Sequence, residues 1–150
     1  MASGPHGGTN ARLTDSGTRR HIGSLIRRAQ QRHLALWSAR VSPRISSVQY
    51  AALEGVAAMP GGSQRDLGEE LGLDRSTIAD LVRRMESAGL LKRRRDDEDR
   101  RRNTLELTPL GRAELERLSP LVDAVQVELV ETLEAAEVRT LRELLLRVIG

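Results

Sequence analysis

The chain contains no cysteine, which removes disulfide bonds, thiolate nucleophiles, cysteine redox sensing and Cys-containing zinc sites together. It has no phenylalanine either, and Trp37 and Tyr50 are its only large aromatic residues. A core must therefore be assembled from Leu, Val, Ile and Ala, a palette that favours packed helices over sheets. No apolar run is long enough to span a bilayer, and the opening MASGPHGGTN lacks the apolar centre of a secretory signal, so a cytoplasmic location without membrane contact is expected. Also missing are a phosphate-binding glycine loop, a His, Asp and Glu set with metal-ligand spacing, and any defensible Ser, His and Asp arrangement. Without such a set, an enzyme, a bound cofactor and a metal site are all disfavoured.

Acid is missing from one long stretch. No Asp or Glu occurs between Asp15 and Glu54, whereas Arg19, Arg20, Arg27, Arg28, Arg32, Arg40 and Arg44 all fall there. From Arg112 onward the balance reverses, with five Arg against eight Asp or Glu. A formal net charge of only +3 therefore hides a basic part and an acidic part, a layout that suits a polyanion binder but is also that of a solvated, salt-bridged surface.

The 150 residues amount to about one domain, with little room for a separate catalytic one. Residues 1–17 are rich in Gly, Ser, Thr, Asn and Pro and have almost nothing to bury, which reads as a tail outside the fold. From 18 to about 39, Ile22, Leu25, Ile26, Ala29, Leu34 and Trp37 recur at helical spacing, and Pro43 stops the helix. A second helix is capped by Ser46 or Ser47, carries Tyr50, Leu53 and Val56 on one face and ends before Met59-Pro60-Gly61-Gly62. A short third helix starts at Ser63, faces Leu67 and Leu71 inward and closes at Gly72; Asp74 then caps a fourth bearing Ile78, Leu81, Val82 and Met85.

Between Gly89 and Gly111 the pattern changes to a two-stranded hairpin. Lys92, Arg93, Arg94 and Arg95 lead to an acidic tip, Asp96, Asp97, Glu98 and Asp99, followed by Arg100 to Arg102 and the alternating Leu105-Glu106-Leu107. A long helix from 108 to about 133 and a last one from about 135 to 148, apolar at Val138, Leu141, Leu144, Leu145 and Val148, complete the chain. The expected fold class is mainly α with a small β-hairpin wing: a winged helix-turn-helix lobe over 46–108, and helices over 18–42 and 109–150.

Helix four carries the chemistry. With Ile78, Leu81, Val82 and Met85 inward, a turn of about 100° per residue puts Ser76, Asp80, Arg83 and Arg84 on the far side, with Arg75 and Thr77 in the first turn. These groups can hydrogen-bond to base edges and phosphates in a major groove, helped by free backbone donors at the helix start. Taken alone, such a face is more often that of a solvated helix. The neighbouring wing, with seven cations against four acids in eleven residues and Arg95 beside its tip, suits a narrow minor groove.

Three strings carry a more specific resemblance: Leu73-Asp74-Arg75-Ser76-Thr77, LVRRMESAGLL over 81–91, and Asp99-Arg100-Arg101-Arg102 running on to Leu105-Glu106-Leu107-Thr108-Pro109-Leu110-Gly111. They resemble the multiple-antibiotic-resistance regulator (MarR) family of winged-helix repressors over roughly residues 20–148. The resemblance implies a homodimer in which the first, fifth and sixth helices interdigitate with those of a second copy, and a pseudopalindromic double-stranded operator. It also implies that Asp99 orients Arg101 for the minor groove.

Helix one, in the string HIGSLIRRAQQRHLALW, resembles the family branch that answers aromatic carboxylates and phenols. That resemblance implies Arg27 as the grip on a ligand carboxylate, His33 as the partner of a ring hydroxyl, and Trp37 as a pocket wall. The chemistry is apt, since a guanidinium fork matches a carboxylate and an imidazole can donate or accept at a phenol. Arg27 and His33 are six residues apart and diverge on one straight helix, so a second subunit, or Ser46 and Tyr50 on helix two, would have to close the pocket. The expected function is a repressor released from DNA by a small aromatic acid. A ligand-independent or drug-responsive regulator, and a helical adaptor whose basic hairpin meets an acidic protein, remain open on the sequence.

Overall fold

The computed structural model describes residues 21–95 and 103–150. The tail expected over 1–17, Arg19 and Arg20, and the hairpin tip with Asp99 and Arg101 lie outside the described residues. In chain order the elements are α1 (Ile22–Arg40), α2 (Ser47–Ala58), α3 (Gln64–Leu71), α4 (Arg75–Ser87), β1 (Leu91–Arg95), β2 (Asn103–Leu107), α5 (Pro109–Leu129) and α6 (Ala135–Ile149).

Side-chain caps set the helix starts. Of the two serines before α2, Ser46 is the cap: its hydroxyl accepts the Gln49 N–H at 3.2 Å while the Gln49 side chain accepts the Ser46 N–H at 2.9 Å. Ser63 and Asp66 repeat this reciprocal arrangement at α3. Gly72 ends α3 at φ 63°, a left-handed conformation that a side chain would disfavour. Two residues later Asp74 opens α4, its carboxylate accepting the Thr77 N–H at 2.8 Å and the hydroxyls of Ser76 and Thr77 at 2.7 and 2.8 Å. Those three bonds hold the Asp74 carboxyl at about 2, below its ordinary 3.8, the Thr77 amide contributing most.

One apolar core lies beneath these elements. Ile78, Leu81, Val82 and Met85 of α4 are all buried, packed with Leu53 of α2, Leu67 of α3, Leu91, Leu105 and Leu107 of the hairpin, and Leu118 and Val125 of α5. Each such side chain is worth about 1.5–3 kcal/mol when fully buried, so this stripe fixes the roll of α4. Trp37 seals the α1 side, its indole N–H donating to the Ile45 carbonyl at 2.7 Å.

The hairpin is antiparallel, with Leu91 opposite Leu107, Lys92 opposite Glu106 and Arg95 opposite Asn103. A further rung comes from the α2–α3 turn: the Leu105 N–H donates to the Gly62 carbonyl at 2.9 Å, and Ser63 bridges Thr104. The wing is thus tied to the front of α3, beyond the two strands expected from sequence. Its base is stitched to α5 through Thr108, whose hydroxyl donates to the Gly89 carbonyl and accepts the Gly111 N–H at 3.0 Å.

The terminal helices differ sharply from this lobe. Of α1 only Trp37 is buried, and α6 buries none of its residues. Ile22, Leu25, Ile26, Leu34, Leu144, Leu145 and Leu146 are exposed in the single chain, so the stripes read at both ends do not meet as an ordinary intramolecular core. Among the described residues, no helix is long and apolar enough to cross a membrane.

Two expected outcomes follow from this packing. A Cβ at Gly111 would collide with the Leu90 carbonyl oxygen, whereas one at Gly23 meets nothing. Gly111→Ala should therefore cost about 1–3 kcal/mol in denaturant unfolding, and Gly23→Ala should be neutral or stabilising by less than about 1 kcal/mol. Because the folded-state carboxyl of Asp74 is depressed, its support for α4 is present above pH 4 and lost as pH falls from 3.8 toward 2. Titration of its side chain by NMR should give a midpoint near 2, and Asp74→Ala should fray the first turn of α4 while Asp74→Asn largely preserves it.

Candidate nucleic-acid interface

The buried stripe leaves one face of α4 to solvent. Arg75, Ser76, Thr77, Asp80, Arg83 and Arg84 are all exposed, as the helical spacing requires. The hydroxyls of Ser76 and Thr77 are turned back onto Asp74, which also accepts the Thr77 N–H at 2.8 Å, so the cap organises the first turn and takes up part of its backbone donors. Arg83 lies against Asp80 at 2.8 Å, and the Arg84 Nε donates to the Asp80 carbonyl at 3.3 Å. The face can thus offer guanidinium forks, hydroxyls and one carboxylate to base edges and phosphates.

Beside it stands the wing, whose cations are less free than their number suggests. Glu106 sits opposite Lys92 and pairs with both Lys92 and Arg94 at 3.3 Å. Its carboxyl is pulled below the usual glutamate range, chiefly by Lys92. Arg93 reaches back to the lobe, donating to the Gln64 side chain at 2.9 Å and lying 3.6 Å from Glu86 of α4. Arg95 has no ion-pair partner among the described residues. A count of charges along the chain does not separate the paired from the unpaired; the antiparallel register, which sets Glu106 across from Lys92, does. Asp99 and Arg101 belong to the tip outside the described residues.

The five residues implied as an effector site are only partly gathered. His33, Trp37 and Tyr50 form a chain of ring contacts, with centroids 5.9 Å apart for His33 and Trp37 and 5.7 Å for Trp37 and Tyr50. His33 lines a cavity of about 630 Å³ between α1, α5 and α6, together with Leu25, Ile26, Gln30, Leu129 and Leu145. Tyr50 lines another, an open groove of about 750 Å³ between α2 and α5 that it shares with Glu54, Leu115 and Ser119. Burial pushes the Tyr50 phenol up, a hydrogen bond with Ser119 opposes this, and the carboxylates of Glu54 and Asp123 add to the rise. Arg27 lines neither space; it is exposed, and its guanidinium donates to Ser24 on the same helix at 3.4 Å. Ser46 is committed to capping α2. Among the described residues no group of acids and histidines is placed to hold a metal ion.

Comparison with known proteins agrees with this architecture. Residues 44–102 match the MarR family model, from the α1–α2 loop through α4 and the first wing strand, β1. The transcriptional regulator HosA of Escherichia coli is 34% identical over 112 residues, 75% of this chain and 82% of HosA. Among solved structures, the PcaV transcriptional regulator from Streptomyces coelicolor in complex with its natural ligand is 39% identical with a TM-score of 0.84, over 91% of this chain and 97% of that one. BpsR of Bordetella bronchiseptica, whose DNA binding is regulated by 6-hydroxynicotinic acid, is 26% identical with a TM-score of 0.83, over 91% of this chain and 98% of its own. These relatives are regulators, not enzymes, and with its outward-facing α4 and its hairpin wing the chain belongs to the MarR family of DNA-binding, winged-helix transcriptional regulators.

Proposed function

We propose that the protein is a homodimeric repressor that leaves a pseudopalindromic operator when a small aromatic carboxylate or phenol binds. The observation that carries the DNA part is the exposed polar face of α4, fixed by its buried stripe and flanked by a cationic hairpin. In this reading Arg75, Ser76, Thr77, Asp80, Arg83 and Arg84 address the major groove, and Arg95, Asp99 and Arg101 the minor groove and its phosphates. The lobe over 46–108 reads DNA, and the helices over 18–42 and 109–150 join the two copies. The apolar residues left exposed on α1 and α6 support that pairing, because a second copy would cover them.

Effector release draws its support from two sides. DNA binding by BpsR is regulated by 6-hydroxynicotinic acid, and here His33, which lines a largely apolar cavity, lies in ring contact with the buried Trp37 behind it. Arg27 would meet the ligand carboxylate once the second copy closes that end. Binding would favour a spacing of the two α4 helices unsuited to DNA, for which a coupling of about 1–3 kcal/mol gives a 5- to 150-fold loss of affinity. A second reading, an uncharged apolar effector, is favoured by one observation: apolar side chains dominate the lining of the 630 Å³ cavity, Arg27 is not among its walls, and Arg32, which is, already pairs with Glu131 at 3.2 Å.

Titration calorimetry with 4-hydroxybenzoate and with protocatechuate decides between the two. The aromatic-acid reading expects saturable binding, release from a duplex selected by the protein, and a response weakened about 10- to 100-fold in Arg27→Ala with DNA affinity retained. No heat with any aromatic acid would remove it. Arg101→Ala should weaken duplex binding and lower the salt slope by about 1 without changing the oligomeric state; unchanged affinity at matched salt would contradict the wing assignment.

A further inference from the structure

Within the α4 face, one residue has the wrong charge for a polyanion. Asp80 is the only acid on the outward side of α4: Glu86, the other acid of the helix, leans to the wing and Arg93. With Ile78, Leu81, Val82 and Met85 buried, Asp80 falls near the middle of the opposite stripe, between Ser76 and Arg83. Its carboxylate accepts from Arg83 at 2.8 Å, with the two side chains 56% and 70% exposed. So open an ion pair contributes little to folding, and its placement makes sense on the binding side instead.

We propose that Asp80 is a specificity-determining residue, one that restrains indiscriminate phosphate binding and confines tight binding to a duplex with a base-edge donor beneath it. This rests on α4 being the helix that reads DNA. A carboxylate in the major groove can only accept, and the base-edge groups that donate there are the amino groups of cytosine and adenine; acidic side chains pair with cytosine. Over any other edge its charge is brought toward phosphates without compensation. Asp80 also holds the Arg83 guanidinium on the same stripe, so that the fork and the carboxylate present adjacent, opposite demands to neighbouring base pairs. Arg83 without Asp80 is a free cation that any phosphate satisfies.

The test takes the full-length parent, Asp80→Asn, Asp80→Ala and Arg83→Ala through binding selection from a random duplex library. Each is then titrated with its selected duplex and with calf-thymus DNA across a salt series. The parent should select a motif with a fixed cytosine, or its paired guanine, at one position in each half-site. Asp80→Ala should lose the preference at that position, bind calf-thymus DNA at least as tightly as the parent, and show a steeper salt slope, so that its specific-to-non-specific ratio falls about 10-fold or more. Asp80→Asn should lose the same ratio but move the preferred base toward adenine. Thermal unfolding midpoints should match the parent for both Asp80 variants, given the exposure of the site. The assignment is overturned if Asp80→Ala selects the same motif with an unchanged ratio, or if its affinity falls equally on both duplexes, as a merely structural role would give. Failure of the parent to select any duplex would overturn the DNA reading itself and this assignment with it.

Discussion

Four apolar side chains on α4, Ile78, Leu81, Val82 and Met85, fix which way every polar residue of that helix faces. All four are buried against α2, α3, the hairpin and α5, so rolling α4 by even a fraction of a turn would expose several kilocalories per mole of apolar surface. The outward stripe of Ser76, Asp80 and Arg83 exists because the inward one cannot move. Asp74 fixes the start of the helix in the same way, by holding three groups of the first turn at once. Thr108 and Gly111 then fasten the end of α4 and the wing to the long helix α5.

Electrostatics on that face is a matter of exchange. Arg83 with Asp80, Lys92 and Arg94 with Glu106, and Arg93 with Glu86 are paired before any nucleic acid arrives. Exposed pairs of this kind hold their members weakly, typically by less than about 1 kcal/mol. A phosphate can therefore compete for the arginines, while the acids left behind penalise wrong contacts. The formal surplus of cations in the wing overstates the charge on offer, because β1 and β2 place Glu106 opposite Lys92 and within pairing distance of Arg94 as well.

Much of this was legible in the residues. Ser46, Ser63, Asp74 and Gly72 mark helix ends because their chemistry answers orphan backbone groups or a left-handed turn, and the stripe on α4 follows from helical period alone. The rung between Gly62 and Leu105 was not legible, since a two-residue stretch in a turn carries no alternation to read. Ser46 shows a different ambiguity: a serine hydroxyl suits a pocket or a cap equally, and the position of the helix start decides for the cap. For Arg27, spacing along one helix indicated divergence from His33, and the cavities of the single chain agree, since His33 lines one and Arg27 does not. The apolar faces of α1 and α6 were legible as stripes, but nothing in a single sequence says whether such a stripe is covered from within the chain or by a second copy.

Amide hydrogen exchange on the full chain, with and without a duplex selected by the protein, tests most directly whether the fixed face of α4 is what meets DNA. Binding should slow exchange in the first turn of α4, whose residues 75–77 are exposed, and in the wing strands, leaving the exposed side of α6 unchanged. Slowing confined to α1 and α6, with the first turn of α4 exchanging as fast as in the free protein, would contradict the account.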